Sequence, residues 1–347
     1  MSTKRKPLLF WTASYAYMGE AMLKSGRFVA GKIARSTKEP FEVEAPFADG
    51  ERYHRLMTDV DRREVVLIGG AIDDREFMET LDLANLMVDM GCQELKIIVP
   101  FLGYSTMERA VLPGEAVKAK VRARLLSSIP SAREGNSIYL VDLHAVGTQH
   151  YFERHVHTRH IYAKTLVVNA VNRLLIARAG LPDDCSDKAA IKAALAQPFV
   201  LASTDVGRSA WVGSLSRDLS AKGYKVSPAF IIKRHNAEST EVVDISADVK
   251  GAFVIVYDDM GRTCGSLINA GKAYRAKGAA EVAAIITHCI MPGGSKQRLI
   301  DSKAIWKLHV VDTHPRALEL KDDEFLYVNS VSSLLSEKVT ASRMELI

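Results

Sequence analysis

A chain of 347 residues with 48% hydrophobic and 25% charged residues has the composition of an ordinary globular protein, long enough for two domains with separate cores. Its formal net charge of +5 suits anionic small molecules, but no long basic run argues for nucleic acid, and no apolar span reaches transmembrane length. The segment Leu8–Trp11 after Lys4-Arg5-Lys6 is too short for the core of a signal peptide, and four scattered cysteines (Cys92, Cys185, Cys264, Cys289) fit reduced thiols in a cytoplasm better than a disulfide framework or a zinc site.

In chain order, Ala16–Lys24 and Phe28–Arg35 are compatible with helix, and Phe47–Glu51 reads as a turn. Val65–Gly70 is a buried strand ending in glycines, followed by helical spacing over Phe77–Met90 with Gly91 as its C-cap. Strands follow at Leu95–Pro100 and Ser137–Asp142, with a basic amphipathic helix over Val117–Ile129 between them. The region 142–160 is rich in histidine (His144, His150, His155, His157, His160). All read as exposed loop residues except His144, just past a strand's carboxyl end, where open α/β sheets bind ligands. Ala163–Ala179 is helical, and the polar run Leu181–Asp187 lies near a domain boundary. The second half repeats the alternation, with strands at Phe199–Ser203, Pro228–Ile232, Phe253–Tyr257, Val282–His288, Leu308–Asp312 and Phe325–Val328 and a last helix over Val331–Lys338. Lys233–Glu241 is polar and reads as a mobile segment. Strands alternating with helices predict parallel βαβ units.

One stretch carries chemistry. Phe253–Tyr257 is β-branched and apolar, Asp258-Asp259 follow, and Met260–Ser266 forms a short loop before helical spacing resumes. A loop between a strand's carboxyl end and a helix's amino end offers unpaired N–H groups to an anion, usually a phosphate. Two carboxylates beside such a loop suit hydroxyls, so the pair and the loop together suit a sugar phosphate.

Tyr257–Ser266 resembles the phosphoribosyl pyrophosphate motif of the phosphoribosyltransferase fold. Further segments resemble the ribose-phosphate pyrophosphokinase family: Asp142–Ala145 with Gln149 and Phe152, Val99–Tyr104 (the family's "VPYFGYARQD"), Phe47–Glu51, Ser203–Gly207, Lys233-Arg234 with Asn236, Thr287-His288 and Asp312–Pro315. The match runs in order from about residue 45 onward. The resemblance implies two phosphoribosyltransferase-like α/β domains, each a mostly parallel sheet flanked by helices: residues 1–162, completed by 333–347, and a catalytic domain over 163–332. It implies magnesium-dependent transfer of pyrophosphate from ATP to the 1-hydroxyl of ribose 5-phosphate, releasing AMP, in a homo-oligomer, dimer-based and commonly hexameric. By that resemblance Lys233 and Arg234 are catalytic. Asp258, Asp259, Gly261, Arg262, Thr263, Cys264, Gly265 and Ser266 bind the ribose phosphate, with Cys264 as a small turn residue and not a nucleophile. Phe47, Asp49, Glu51, Tyr104, Arg109 and His144 meet ATP, and His144 and Asp205 lie near Mg²⁺.

The chain departs from the family at several of these places. Thr106 and Met107 stand where an arginine and a glutamine are expected near ATP, with Arg109 as a substitute. Arg208 and Trp211 replace residues of the "SPDAGGAKR" loop, whose Lys-Arg pair is lost. Arg262 replaces an aspartate of the phosphate loop. A cation there suits more negative charge than one phosphate carries. The acceptor expected is therefore either ribose 5-phosphate or a 5-substituted ribose such as ADP-ribose, with Arg208 and Trp211 lining the added space. A non-catalytic regulatory member is the alternative that the lost ATP contacts favour.

Overall fold

The structure, a computed structural model, describes residues 5–153, 156–235, 240–322 and 324–341, and the backbone alone at 233–235 and 240–243. The chain divides into two compact units, residues 1–162 with 331–347 and residues 163–330.

Unit 1 begins with β1 (Leu8–Trp11), an unforeseen and almost fully buried strand, and α1 (Ala16–Leu23). The helix expected over Phe28–Arg35 is absent. That segment forms β2 (Val29–Ala30) and β3 (Ile33–Ala34), because Gly31 runs against the Phe10 ring. A Cβ at Gly31 would lie 2.2 Å from that ring, and its N–H donates to the Leu9 carbonyl at 2.8 Å, so the backbone is tied to β1 instead of to itself. Next come β4 (Arg55–Leu56), β5 (Glu64–Ile68), α2 (Asp74–Asp89), β6 (Glu94–Val99), α3 (Lys118–Ser127), β7 (Asn136–Val141) and β8 (Val156–Ile161). The Asp73 carboxylate caps α2 by accepting from Glu76 N–H at 2.8 Å, and Gly91 at φ +82° ends that segment as expected.

The histidine-rich run is not all loop. His157 and His160 lie on β8, an edge strand whose polar composition hides it from a hydrophobic pattern. His160 Nε2 accepts from Leu143 N–H at 3.0 Å, so this histidine shapes the loop after β7. His155 lies outside the described residues. The sheet order is β2-β1-β5-β6-β7-β8, all parallel.

Unit 2 runs α4 (Lys164–Arg178), α5 (Lys188–Leu195), β9 (Phe199–Ser203), α6 (Ser209–Ala221), β10 (Val226–His235), β11 (Thr240–Ile245), β12 (Phe253–Gly261), α7 (Gly265–Ala276), β13 (Glu281–Cys289), α8 (Ser295–Asp301), β14 (Leu308–Val311), α9 (Arg316–Leu320) and β15 (Leu326–Asn329). The sheet order is β11-β10-β9-β12-β13-β14-β15, parallel except for β11. In the segment read as mobile, the backbone of Lys233, Arg234 and His235 pairs antiparallel with Val242, Glu241 and Thr240. Asn236 lies outside the described residues. Strand β12 is buried on both faces. Phe253, Ile255 and Tyr257 pack with α4 and α6, while Val254 and Val256 pack with α7 and α8, the two-residue period of a central parallel strand.

The chain then returns to unit 1 as α10 (Ser332–Thr340). Buried Lys96 on β6 binds Glu64 at 2.5 Å and donates to the Val339 carbonyl at 3.1 Å, which fastens the end of this helix to the sheet.

Candidate functional site

In unit 2 the chain goes from β9 to β10 on one side, and β12 lies on β9's other side. The crevice between the carboxyl ends of β9 and β12 is thus a topological switch point, where open α/β sheets take their ligands. Ser203-Thr204-Asp205 leave β9 there, and Asp258-Asp259 lie near the end of β12. Thr204 Oγ1 donates to Asp258 Oδ2 at 3.1 Å, and Asp259 N–H donates to Asp258 Oδ1 at 3.0 Å. Asp205 caps a 3-10 turn, Val206–Arg208, by accepting from Gly207 N–H at 2.9 Å. That turn delivers Arg208 Nη2 to 2.5 Å from Asp259 Oδ2. Burial, then the Asp259 charge, push the Asp258 carboxyl up to about 7 against the relief given by Thr204 and Arg208.

After the carboxylates, Gly261 passes so close to Ile286 that a Cβ would lie 2.4 Å from its Cδ1, and the Gly261 carbonyl accepts from Ile290 and Met291 at 3.0 Å. Cys264, at φ +61°, turns the chain into α7, whose first-turn N–H groups have no carbonyl one turn back. The buried Cys264 thiol is raised to about 11, first by desolvation, so it is no nucleophile at neutral pH. Arg262 and Thr263 are exposed on the loop, and Ser266 is exposed in the first turn of α7. Arg298 of α8 donates to the Thr263 carbonyl at 3.4 Å and to Ser295 Oγ at 3.1 Å. The sequence reading missed this cation; the helical spacing of Ser295 and Arg298 was its only signal.

Behind the crevice, Trp211 stacks on Tyr257 with ring centroids 3.7 Å apart and planes 9° from parallel. Tyr257 OH meets Thr287 Oγ1 at 3.1 Å, and Thr313 links the Thr287 carbonyl (2.9 Å) to His288 Nδ1 (2.8 Å). Of the two residues expected to line space for an enlarged acceptor, Arg208 is paired with Asp259 and Trp211 is packed on Tyr257.

In unit 1 the equivalent crevice lies between β1 and β5, and its own side chains fill it. A Cβ at Gly70 would lie 2.8 Å from the Tyr15 ring, Thr80 Oγ1 accepts from Gly70 N–H at 3.0 Å, and Thr12 Oγ1 donates to buried Glu76 at 2.5 Å. Desolvation raises the Glu76 carboxyl to about 7. The Phe47 turn closes through Phe47 N–H to the Glu51 carbonyl (2.8 Å) and Glu51 N–H to Asp49 Oδ1 (3.1 Å), with Phe47, Asp49 and Glu51 exposed. Arg52 anchors it, bound to Glu44 at 2.5 Å and to buried Glu79 at 2.7 Å, where Arg35 also binds at 3.0 Å. Tyr104, at φ +60°, donates to Asp74 at 3.0 Å, and Lys118 and Arg122 lie 4.6 and 4.8 Å from its ring centroid. Arg109 is exposed, 3.6 Å from Glu108, and His144 is half-buried in the loop after β7.

Among the described residues no group of three or more His, Cys, Asp or Glu could hold a metal ion.

These features define an α/β protein whose second unit carries paired carboxylates and a strand-to-helix loop at its switch-point crevice. The family model "N-terminal domain of ribose phosphate pyrophosphokinase" matches residues 23–129, and "Phosphoribosyl synthetase-associated domain" matches residues 212–344. The Spinacia oleracea protein "Ribose-phosphate pyrophosphokinase 1" is 26% identical over 84% of this chain and 79% of its own length. The "Ribose-phosphate pyrophosphokinase" of Brucella melitensis is 24% identical over 92% of this chain and 95% of its own. The fold matches the crystal structure of phosphoribosylpyrophosphate synthetase from Mycobacterium smegmatis, with a TM-score of 0.76 at 22% identity over 96% of this chain and 98% of that one. The two family models together span more than half of the sequence, and the chain belongs to the ribose-phosphate pyrophosphokinase family, a diphosphokinase-type transferase with phosphoribosyltransferase-like units.

Proposed function

We propose that the protein transfers the pyrophosphoryl group of ATP to the 1-hydroxyl of a ribose 5-phosphate acceptor, releasing AMP. The observation that carries this reading is the Asp258–Asp259 pair at the β9/β12 crevice, with a phosphate-type loop opening α7 directly behind it. The carboxylates accept from the sugar hydroxyls, and the Gly261–Ser266 loop takes the 5-phosphate on backbone N–H groups. The attacked phosphorus gathers negative charge on its oxygens, which Lys233 and Arg234 are proposed to neutralise. Phe47, Asp49, Glu51, Tyr104, Arg109 and His144 are the proposed ATP contacts. Magnesium, when bound, would offset the negative charge of the phosphates, and His144 and Asp205 are the residues proposed to lie near it. A cytoplasmic homo-oligomer is part of the same proposal.

A second acceptor is favoured by one observation. Arg262 is exposed on the loop, and Arg298 lies against the same loop, two cations where a diphosphate such as that of ADP-ribose would extend. Incubation with ATP, Mg²⁺ and either ribose 5-phosphate or ADP-ribose, followed by AMP, tests both. AMP with ribose 5-phosphate alone removes the diphosphate acceptor, and Arg262→Asp is expected to shift the rate ratio toward the smaller acceptor. No AMP with either leaves the non-catalytic regulatory reading.

A further inference from the structure

Asp258 and Asp259 are adjacent but not equivalent. The Asp258 carboxyl is held by neutral donors, the Thr204 hydroxyl and the Asp259 N–H. Asp259 is buried, and its Oδ2 is 2.5 Å from Arg208 Nη2. Arg208 is not a roaming surface side chain. It ends a short turn that Asp205 caps from within, and α6 starts at the next residue.

We propose that Arg208 is a positioning residue of the acceptor site, holding the buried Asp259 carboxylate ionised and oriented to accept hydrogen bonds from the vicinal hydroxyls of the sugar. An ionised carboxylate is the stronger acceptor and offers both oxygens to a vicinal pair of hydroxyls, whereas burial beside a second carboxylate opposes ionisation. A fixed guanidinium offsets that opposition and sets the side-chain rotamer. Among the described contacts, Thr204 and Arg208 face the pair from the β9 side, and the Cys264 thiol on the loop feels the Asp258 charge. This inference rests on the reading that the pair binds an acceptor's hydroxyls.

Calorimetry separates the roles, because ribose 5-phosphate and ADP-ribose use both the hydroxyl and phosphate halves of the site while inorganic phosphate uses only the loop. In R208A and R208Q the affinity for the sugar phosphate that binds the wild type is expected to fall about tenfold, and that for inorganic phosphate to stay within about twofold. R208K is expected to recover most of the loss. R208Q keeps a polar, uncharged side chain longer than alanine's, so a folding failure of R208A leaves the contrast with R208K intact. Equal losses for both ligand types, or no loss for the sugar phosphate, overturn the inference. A wild type that binds inorganic phosphate but neither sugar phosphate overturns the acceptor reading, and the inference with it.

Discussion

The substitution Asp258→Asn removes one of two adjacent carboxyls and keeps its shape. An asparagine can keep both bonds, its oxygen accepting from Asp259 N–H and its amide donating to a rotated Thr204 hydroxyl. What it loses is the ionisation. In the folded protein the Asp258 carboxyl is raised from 3.8 to about 7. A raised carboxyl makes its contribution to stability in full below the unfolded value of 3.8 and loses it as pH rises through about 7. At about 1.4 kcal/mol per unit, the interval from pH 5 to about 7 corresponds to about 3 kcal/mol. Asp258 keeps some surface open to water and shares its titration with Asp259, so about 2 kcal/mol is the expected effect. Denaturant unfolding of both proteins at pH 5 and pH 8, followed by tryptophan fluorescence, is the assay. The wild type is expected to lose about 2 kcal/mol relative to D258N between the two conditions, while D258N loses its affinity for a sugar phosphate. A stability difference that is the same at both pH values refutes the argument.

Other expectations follow from unit 1 and the thiols. Arg52→Ala strips the buried Glu79 of one of its two arginines and is expected to cost about 2 kcal/mol in denaturant unfolding, while leaving sugar-phosphate binding in unit 2 unchanged. Gly103→Ala places a Cβ 1.8 Å from the Ala71 carbonyl oxygen, a backbone atom that cannot step aside; a loss above about 3 kcal/mol is expected, against a change within about 0.5 kcal/mol for Gly147→Ala, where nothing lies within 4 Å. Native labelling with iodoacetamide at pH 8, read by mass spectrometry, is expected to modify Cys185 and to spare Cys92, Cys264 and Cys289, whose buried thiols are raised to about 11, 11 and 12.

The parallel strands were legible because buried β-branched runs such as Val65–Ile68 and Phe253–Tyr257 have no other economical use. Strand β8 was not, since an edge strand can be polar on both faces, and neither were β2 and β3, where the Phe10 ring decides the backbone of Gly31 from across the sheet. At the crevice, Asp258, Asp259 and the loop were legible as a contiguous motif. The Arg208–Asp259 ion pair and the Thr204–Asp258 bond join residues some fifty positions apart and exist only because β9 and β12 are neighbours. The stacking of Trp211 on Tyr257 has the same origin.

Unit 1 is assembled from two stretches of chain with all of unit 2 spooled out between them. A nascent chain that has delivered its first 162 residues has made the β6 lysine but not the helix carbonyl that Lys96 binds, and it stays in that condition until residue 339 is added. Unit 2 has every one of its strands before that moment. Synthesis and completion therefore run in opposite orders: the unit begun first closes last, and a premature stop just after residue 330 harms the older unit and spares the one beside the cut.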